Sequence, residues 1–292
     1  MEFLDGLEHY TRENEPLAPY TWFRLGGVAQ YFAEPTTVDE LAALVRRCRQ
    51  EQLPIRLLGG GSNLLIRDAG IEGMVIHLTA AAFAAISIEG QIVKAGGAAK
   101  LGHVVSSAVG AGLAGLEPLV GIPGSIGGAL HGNASTQGGD IGQWTHSATV
   151  MTHDGEIETR SRDSLIFAHR QSSLDDLVIL EAQFALEPDD PREITQRMQK
   201  LWIIKKAHEP ASNECTGLIF RDPGGDTAAS LIESAGFKNA RVGEARIDDR
   251  NANFITVDSG ASADDVLRLI ELVRTGVSDR TGVELELNLE IW

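Results

Sequence analysis

Cysteine is scarce in this 292-residue chain, which contains only Cys48 and Cys215. Two thiols in a chain of this length do not form a disulfide framework, so we expect a protein of the reducing cytoplasm. Long apolar runs are lacking too, and no stretch reaches the roughly 18 apolar residues that a membrane-spanning helix needs. The first residues, MEFLDG, lack the basic start and apolar core of a signal peptide. We therefore expect no membrane partner.

Basic residues are also few, since 25 Lys and Arg are set against 41 Asp and Glu, for a formal net charge of −16. This balance argues against nonspecific nucleic-acid binding, because a phosphate backbone would be repelled. His103, His131 and His146 are scattered, without paired spacing or a cysteine partner, so no metal site is expected. The hydrophobic content of 43% is nevertheless sufficient for one large or two modest cores.

Periodicity predicts a mixture of helices and strands. The predicted helices cover 37–52, 101–111, 192–206, 227–235 and 263–275, and the predicted strands 55–58, 74–78, 85–89, 91–95, 148–152, 156–160, 177–186, 252–257 and 283–291. Two prolines and three acidic residues in Glu187–Pro191 indicate an inter-domain connection.

Two glycine clusters interrupt the strand pattern. The first reads Gly-Gly-Gly-Ser-Asn-Leu-Leu over 59–65, and the second reads Gly-Ile-Pro-Gly-Ser-Ile-Gly-Gly over 121–128. Glycine can adopt positive φ and bring backbone N–H groups close to anionic oxygens. A single cluster is as well explained by tight turns. Two together favour one large cofactor that carries phosphate.

Neither cluster has the pattern of the commonest nucleotide-binding motifs. The dinucleotide fingerprint Gly-x-Gly-x-x-Gly is absent, and no Gly-Lys-Ser/Thr follows either cluster as in a Walker loop. A nicotinamide-binding Rossmann domain and a P-loop nucleotidase are therefore disfavoured.

The order of several motifs resembles the UDP-N-acetylenolpyruvoylglucosamine reductase family. They are Thr-Trp-Phe-Arg-Leu-Gly-Gly at 21–27, the two glycine clusters, Asn-Ala at 133–134, His-Arg-Gln-Ser at 169–172, Phe-Arg-Asp-Pro at 220–223 and Ala-Asn-Phe-Ile at 252–255. The family has Tyr-Arg-x-Ser where this chain has His-Arg-Gln-Ser at 169–172, and Phe-Lys-Asn-Pro where it has Phe-Arg-Asp-Pro at 220–223. The resemblance extends over nearly the whole chain.

This resemblance implies an α+β fold with FAD as cofactor. It predicts a two-subdomain FAD-binding domain of the PCMH or vanillyl-alcohol-oxidase type over 17–186 and a smaller α+β substrate-binding domain over 187–292. By the same resemblance, the first glycine cluster wraps the pyrophosphate and the second lies near the isoalloxazine. The predicted FAD-binding residues are Arg24, Gly59, Gly60, Gly61, Ser62, Asn63, Leu64, Leu65, Ile122, Pro123, Gly124, Ser125, Gly127, Gly128 and Asn133.

In the family, NADPH delivers hydride to FAD, which passes it to the enolpyruvyl double bond of a UDP-sugar in peptidoglycan synthesis. The reduction also needs a proton donor and a group that stabilises charge on the substrate carboxylate. The resemblance assigns the second role to Arg170. The family's proton donor is a Ser or Cys, supported by a Glu, but aligning Phe220 and Pro223 puts Leu218 at the donor position, and aligning Leu285 and Glu286 puts Asn288 at the acid position. Neither side chain is a general acid at neutral pH.

Several readings of these two replacements are open. In the first, Cys215 or Thr216 takes the role of the donor, or Glu286 or Glu290 replaces the acid, since alternate residues of a strand share a face. In the second, the flavin serves a different reaction. In the third, the chain is a noncatalytic relative that binds FAD or a nucleotide sugar. The expected partner is a small nucleotide-sugar substrate, and the sequence identifies no protein partner.

Overall fold

The structure is a computed structural model that describes residues 3–136, 138–207, 209–210 and 215–292. Its helices are α1 Val38–Gln50, α2 Ala81–Ala84, α3 Leu101–Gly110, α4 Ile126–His131, α5 Pro191–Ala207, α6 Ala228–Ser234 and α7 Ala263–Thr281. Among the described residues, no helix combines the length and apolarity required to cross a membrane.

Strands are numerous and mostly short. They are β1 Thr11–Pro16, β2 Val28–Ala33, β3 Ile55–Leu58, β4 Leu64–Leu65, β5 Ile71–His77, β6 Ile86–Glu89, β7 Ile92–Gly96, β8 Leu113–Ala114, β9 Ser135–Thr136, β10 Gly139–Asp140, β11 Thr145–Met151, β12 Ile157–Ser161, β13 Phe167–Ala168, β14 Gln171–Ser172, β15 Val178–Ala185, β16 Glu187–Pro188, β17 Thr216–Leu218, β18 Arg241–Val242, β19 Ala245–Ile247, β20 Phe254–Val257 and β21 Glu290–Ile291. Strands β1, β2, β5 and β3 form one sheet in that order.

The chain divides into two compact units. The first comprises Met1–Glu13, Tyr31–Gly60 and Gly73–Lys205, and the second comprises Asn14–Gln30, Gly61–Glu72 and Lys206–Trp292. The domain boundary predicted between residues 186 and 187 stays a prediction, and the segment directly after it lies in the first unit, where β16 pairs with β8.

The first unit is built around an antiparallel sheet of order β12-β11-β15-β7-β6. Its inward side chains alternate along β15, where Val178, Leu180, Ala182 and Phe184 are buried. Helices α3 and α4 contact this sheet, and their apolar faces complete its core. A second core lies under α1, which Thr37 caps, since its hydroxyl accepts the Glu40 N–H.

The second unit packs α6 and α7 onto an antiparallel sheet of order β17-β20-β19-β18. Helix α7 begins at a capping box formed by Ser262 and Asp265 and ends at Gly282, which has left-handed φ. It is longer than the predicted 263–275. The strand predicted over 283–291 is wrong in extent, since only Glu290–Ile291 forms a strand, β21, which pairs in parallel with β4.

Candidate functional site

Within the first unit, the two glycine clusters approach each other. Gly59 and Gly60 follow β3 and are exposed. A Cβ on Gly59 would lie 3.3 Å from the Ser125 Oγ, and a Cβ on Gly60 would lie 3.4 Å from the Gly124 Cα. Bare backbone from the two clusters therefore lies side by side, as expected of two segments that share a ligand.

The second cluster turns directly into α4, a helix that the sequence did not predict. The Ser125 hydroxyl caps it by accepting the Gly128 N–H at 3.3 Å. The Gly127 N–H donates to the Gly97 carbonyl oxygen at 2.8 Å, and a Cβ on Gly127 would lie only 3.2 Å from that oxygen. Close approach of two backbone segments thus explains glycine at position 127.

The preceding turn is shaped by Gly121, which has φ of 77°. Ile122 is partly buried against the first unit's core, and Pro123 is exposed. The aliphatic stem of Lys205 lies against Gly121, since its Cδ is 3.0 Å from the place of a Cβ there. This places a lysine stem beside the second glycine cluster, which the spacing in sequence does not indicate.

The remainder of the first cluster belongs to the second unit. Gly61 has φ of 62°, and a Cβ there would lie 2.0 Å from the Tyr20 carbonyl oxygen, so only glycine fits. Its own carbonyl oxygen accepts the Trp22 N–H at 3.0 Å. Leu64 and Leu65 are buried, and Leu65 belongs to the second unit's core, so both anchor the loop rather than expose a side chain to a ligand.

Asn63 and Asn288, which are distant in sequence, are bonded to each other. The Asn63 Nδ2 donates to the Asn288 backbone oxygen at 2.8 Å, and the Asn288 Nδ2 donates to the Asn63 Oδ1 at 3.0 Å. The position that the resemblance assigns to the family's acid is therefore attached to the first glycine cluster.

Arg24 lies in the same unit, on the turn that follows Tyr20. It has φ of 57°, and its Nη1 donates to the Pro19 backbone oxygen at 2.6 Å. Ser62, next to the glycines, is partly exposed. The predicted FAD-binding residues Arg24, Gly61, Ser62 and Asn63 thus belong to the second unit. Gly59 and Gly60, which precede Gly61 in the loop, belong to the first.

Asn133 and Arg170 lie near each other in the first unit. Asn133 is buried, and its side chain donates to the Ala168 carbonyl oxygen at 2.8 Å and accepts the Gly142 N–H at 3.1 Å. Ala168 ends β13, and Arg170 lies in the two-residue turn from β13 to β14, with φ of 58°. The Asn133 amide is thus bonded to backbone on both sides, and it supports the hairpin that presents Arg170.

Leu218 is partly buried at the end of β17, opposite Phe254 of β20. The residue before it, Gly217, packs against the Phe23 ring, since a Cβ on Gly217 would lie 2.3 Å from the Phe23 Cζ. A shift of β17 by one residue would bring a side chain into this space. The packing therefore fixes the register of β17, and with it the place of Leu218 at the end of the strand.

The other residues considered as donors have different surroundings. Thr216 is buried within β17, and Cys215 is partly exposed, with φ of 59° and its N–H donated to the Trp22 carbonyl oxygen at 2.7 Å. The Glu286 side chain is 78% exposed, and the Glu290 carboxylate accepts the Trp292 Nε1–H at 2.8 Å. Nothing in these contacts directs either carboxylate toward Leu218.

Arg221 adds a positive charge next to this strand. Its Nη1 lies 3.7 Å from the Glu286 carboxylate, whereas its Nε is buried and has no hydrogen-bond partner among the described residues. A guanidinium with an unpaired donor fits an anionic ligand.

Glu117, in the turn before the second cluster, reads from the sequence either as a group that orients backbone or as a surface carboxylate, and the structure buries it. Its carboxylate accepts the Gly115 N–H at 2.6 Å and pairs with Arg197 at 3.2 Å, and Arg197 also contacts Asp189 at 2.7 Å. The hydrogen bonds that Arg197 donates to Asp189 and then to Glu117 raise the pKa of Arg197. A carboxylate within the apolar run Leu113–Val120 is the signal that indicates such a buried pair.

These observations fit a flavin dinucleotide. Such a cofactor needs small residues next to its ring system and backbone donors for its pyrophosphate. In the first unit, the backbone of Gly59 and Gly60 lies uncovered beside Ser125 and Gly124, and a Cβ on Gly59 would crowd the Ser125 Oγ at 3.3 Å. In the part of the chain that the structure describes, no group of three His, Cys, Asp or Glu side chains is arranged to hold a metal.

Similarity to known proteins agrees with this assignment. Residues 29–161 match the family model of an FAD-binding domain, and residues 209–292 match that of the UDP-N-acetylenolpyruvoylglucosamine reductase C-terminal domain. The chain is 42% identical to the reductase of this name from Rhodopirellula baltica over 99% of this chain and 95% of that protein. It is 38% identical to that of Listeria innocua over 95% and 93%.

A solved structure resembles the chain over nearly its full length. The crystal structure of UDP-N-acetylenolpyruvylglucosamine reductase from Thermus caldophilus has a TM-score of 0.82 and 33% identity, over 97% of this chain and 98% of that one. The fold and the glycine clusters thus define a flavoprotein whose cofactor is FAD. The chain belongs to the UDP-N-acetylenolpyruvoylglucosamine reductase family. This confirms the α+β fold and the FAD cofactor expected from the sequence.

Proposed function

We propose that the chain is an NADPH-dependent reductase of the enolpyruvyl group of a UDP-N-acetylglucosamine ether, and that it works without a positioned acid at residues 218 and 288. The observation that carries the first part is similarity over 99% of the chain to a reductase of that name, with Gly59 and Gly60 beside Gly124 and Ser125 in the first unit. When bound, FAD supplies the capacity to accept and donate a hydride.

The remaining roles fall to side chains of this chain. Arg170, at a hairpin tip supported by Asn133, stabilises the negative charge that develops on the substrate carboxylate. Arg221, whose buried Nε has no hydrogen-bond partner among the described residues, contributes positive charge to the binding of the anionic nucleotide sugar.

Protonation is the step that this chain changes. Leu218 has no proton to donate, and the Asn288 amide is engaged with Asn63. Thr216 is buried, and Glu286 and Glu290 face solvent. We therefore assign the proton to water, and we expect the step to be slower by about 10² to 10⁴ than with a positioned acid.

The test separates the two half-reactions. Under anaerobic conditions, NADPH should bleach the protein's absorbance in the flavin region, about 350 to 500 nm. Adding enolpyruvyl-UDP-N-acetylglucosamine should then restore the colour slowly, with a saturated lactyl ether as product. Bleaching without any recovery of colour would contradict the proposed reaction.

A second candidate function is favoured by the two replacements themselves. A noncatalytic relative would bind FAD or the nucleotide sugar and would tolerate leucine at 218 and an amide at 288. It predicts no recovery of colour, together with substrate binding in calorimetry.

A further inference from the structure

Three backbone and side-chain bonds attach residue 63 to the end of the chain. Two are the bonds between the Asn63 and Asn288 amides, and the third runs from the Glu290 N–H to the Asn63 carbonyl oxygen at 3.0 Å. The residues that follow, β4 and β21, pair in parallel. The second half of the first glycine cluster therefore depends on the C-terminal segment for its position.

The two side-chain bonds also fix which atom of the Asn63 amide faces Asn288. Because the Asn63 Nδ2 donates to the Asn288 backbone oxygen, its Oδ1 is the atom that receives the Asn288 side chain. An ionised carboxylate at 288 would bring an acceptor against that acceptor. Turning the Asn63 amide over would only exchange this conflict for another, because its oxygen would then face the Asn288 carbonyl oxygen.

We propose that Asn288 is a positioning residue for FAD, which it supports by holding Asn63 and with it the loop from Gly61 to Leu65. The inference rests on the proposed function in one respect, namely that this loop holds the cofactor. It gives the Asn288 amide a role in this chain, since an ionised acid there would place an acceptor against the Asn63 Oδ1.

The sharpest variant is Asn288→Asp, which keeps the shape of the side chain and replaces the donor by an acceptor. We expect its FAD dissociation constant, measured by quenching of flavin fluorescence, to rise about tenfold at pH 8. A protonated carboxylic acid can donate to the Asn63 Oδ1 again. The affinity of the variant should therefore return toward that of the unmodified protein as the pH falls to about 5, near the range where a carboxyl with acceptor neighbours protonates.

Three controls separate positioning from general damage. Asn288→Ala should weaken FAD binding equally at every pH. Asn239→Asp places the same charge on an exposed turn and should leave the dissociation constant unchanged. Asn63→Ala combined with Asn288→Ala should weaken binding less than the two single effects multiplied, because both remove the same contact.

The outcomes are distinct. The inference is supported if the FAD affinity of Asn288→Asp recovers at low pH while that of Asn288→Ala does not change with pH. FAD binding by the unmodified protein with no effect of Asn288→Asp, or with a loss that does not change with pH, overturns the inference and leaves the proposed function intact. An unmodified protein that cannot bind FAD overturns both. Thermal unfolding of the cofactor-free variants checks that they are folded.

Discussion

Phe23 occupies the space that a side chain on residue 217 would need, since a Cβ on Gly217 would lie 2.3 Å from the Phe23 Cζ. Both residues are buried in the second unit, and the contact fixes the register of β17. Consequently neither Thr216 nor Cys215 can move along the strand into the place of Leu218. The lack of a proton donor at position 218 is therefore a property of the packing as well as of the sequence.

Gly217→Ala should destabilise the protein, because the added methyl group overlaps the Phe23 ring. We expect a loss of about 1 to 3 kcal/mol in the free energy of unfolding, as for other overpacked core sites. Urea denaturation of the protein measures it. The matched control is Gly224→Ala, where a Cβ would meet no atom within 4 Å. Equal denaturation midpoints for the two variants would contradict the tight contact with Phe23.

The two cysteines should differ sharply in reactivity. Cys48 is fully buried, and burial raises the pKa of its thiol to about 12. Cys215 is partly exposed. Because the thiolate is the reactive form, a thiol-specific reagent at pH 8 should modify one cysteine per native chain and two after denaturation. Mass spectrometry of tryptic peptides should locate the native modification at Cys215. Rapid modification of Cys48 in the native protein would contradict its burial.

Glu117 should matter more for stability than Asp189, although both pair with Arg197. In Glu117→Gln, an amide nitrogen faces either the Gly115 N–H or the Arg197 guanidinium, which leaves a buried donor without an acceptor. We expect a cost of about 1 to 3 kcal/mol. Asp189→Asn removes a more exposed partner, whose ion pair is screened by solvent, and should lower the free energy of unfolding less. If urea denaturation gave comparable losses in the free energy of unfolding for both variants, the buried contacts of Glu117 would not contribute more than those of Asp189.

Regular elements with strong periodicity could be predicted from the sequence. Helix α1, Val38–Gln50, lies within the predicted 37–52, and β6 and β7 lie where strands are predicted at 85–89 and 91–95. Helix α4 could not be predicted, because Gly127 and Gly128 disfavour helix, and the approach to the Gly97 backbone that explains Gly127 is a tertiary contact.

Tertiary contacts limited the remaining predictions. The segment before β21 reads as a strand because its apolar residues alternate. Its backbone instead bonds an irregular segment, through the Arg221 N–H to the Glu286 oxygen and the Asn288 N–H to the Ile219 oxygen. The hydrogen bonds between Asn63 and Asn288 join residues 225 positions apart, and no local sequence pattern predicts them. The candidate FAD residues could be named from motifs, whereas the partner of each side chain required the fold.

The most direct test of the central claim compares the unmodified protein with Leu218→Ser and Leu218→Ala in the two half-reactions, followed by stopped-flow absorbance. A serine at 218 restores a hydroxyl at a partly buried position without altering Gly217, and alanine controls for the loss of leucine volume. We predict that the rate of bleaching by NADPH is unchanged in both variants. The recovery of colour with enolpyruvyl-UDP-N-acetylglucosamine should accelerate about 10- to 100-fold in Leu218→Ser only, within the contribution of a general acid. Recovery in the unmodified protein that is already as fast as in Leu218→Ser would contradict the account, because a proton donor would then be in place.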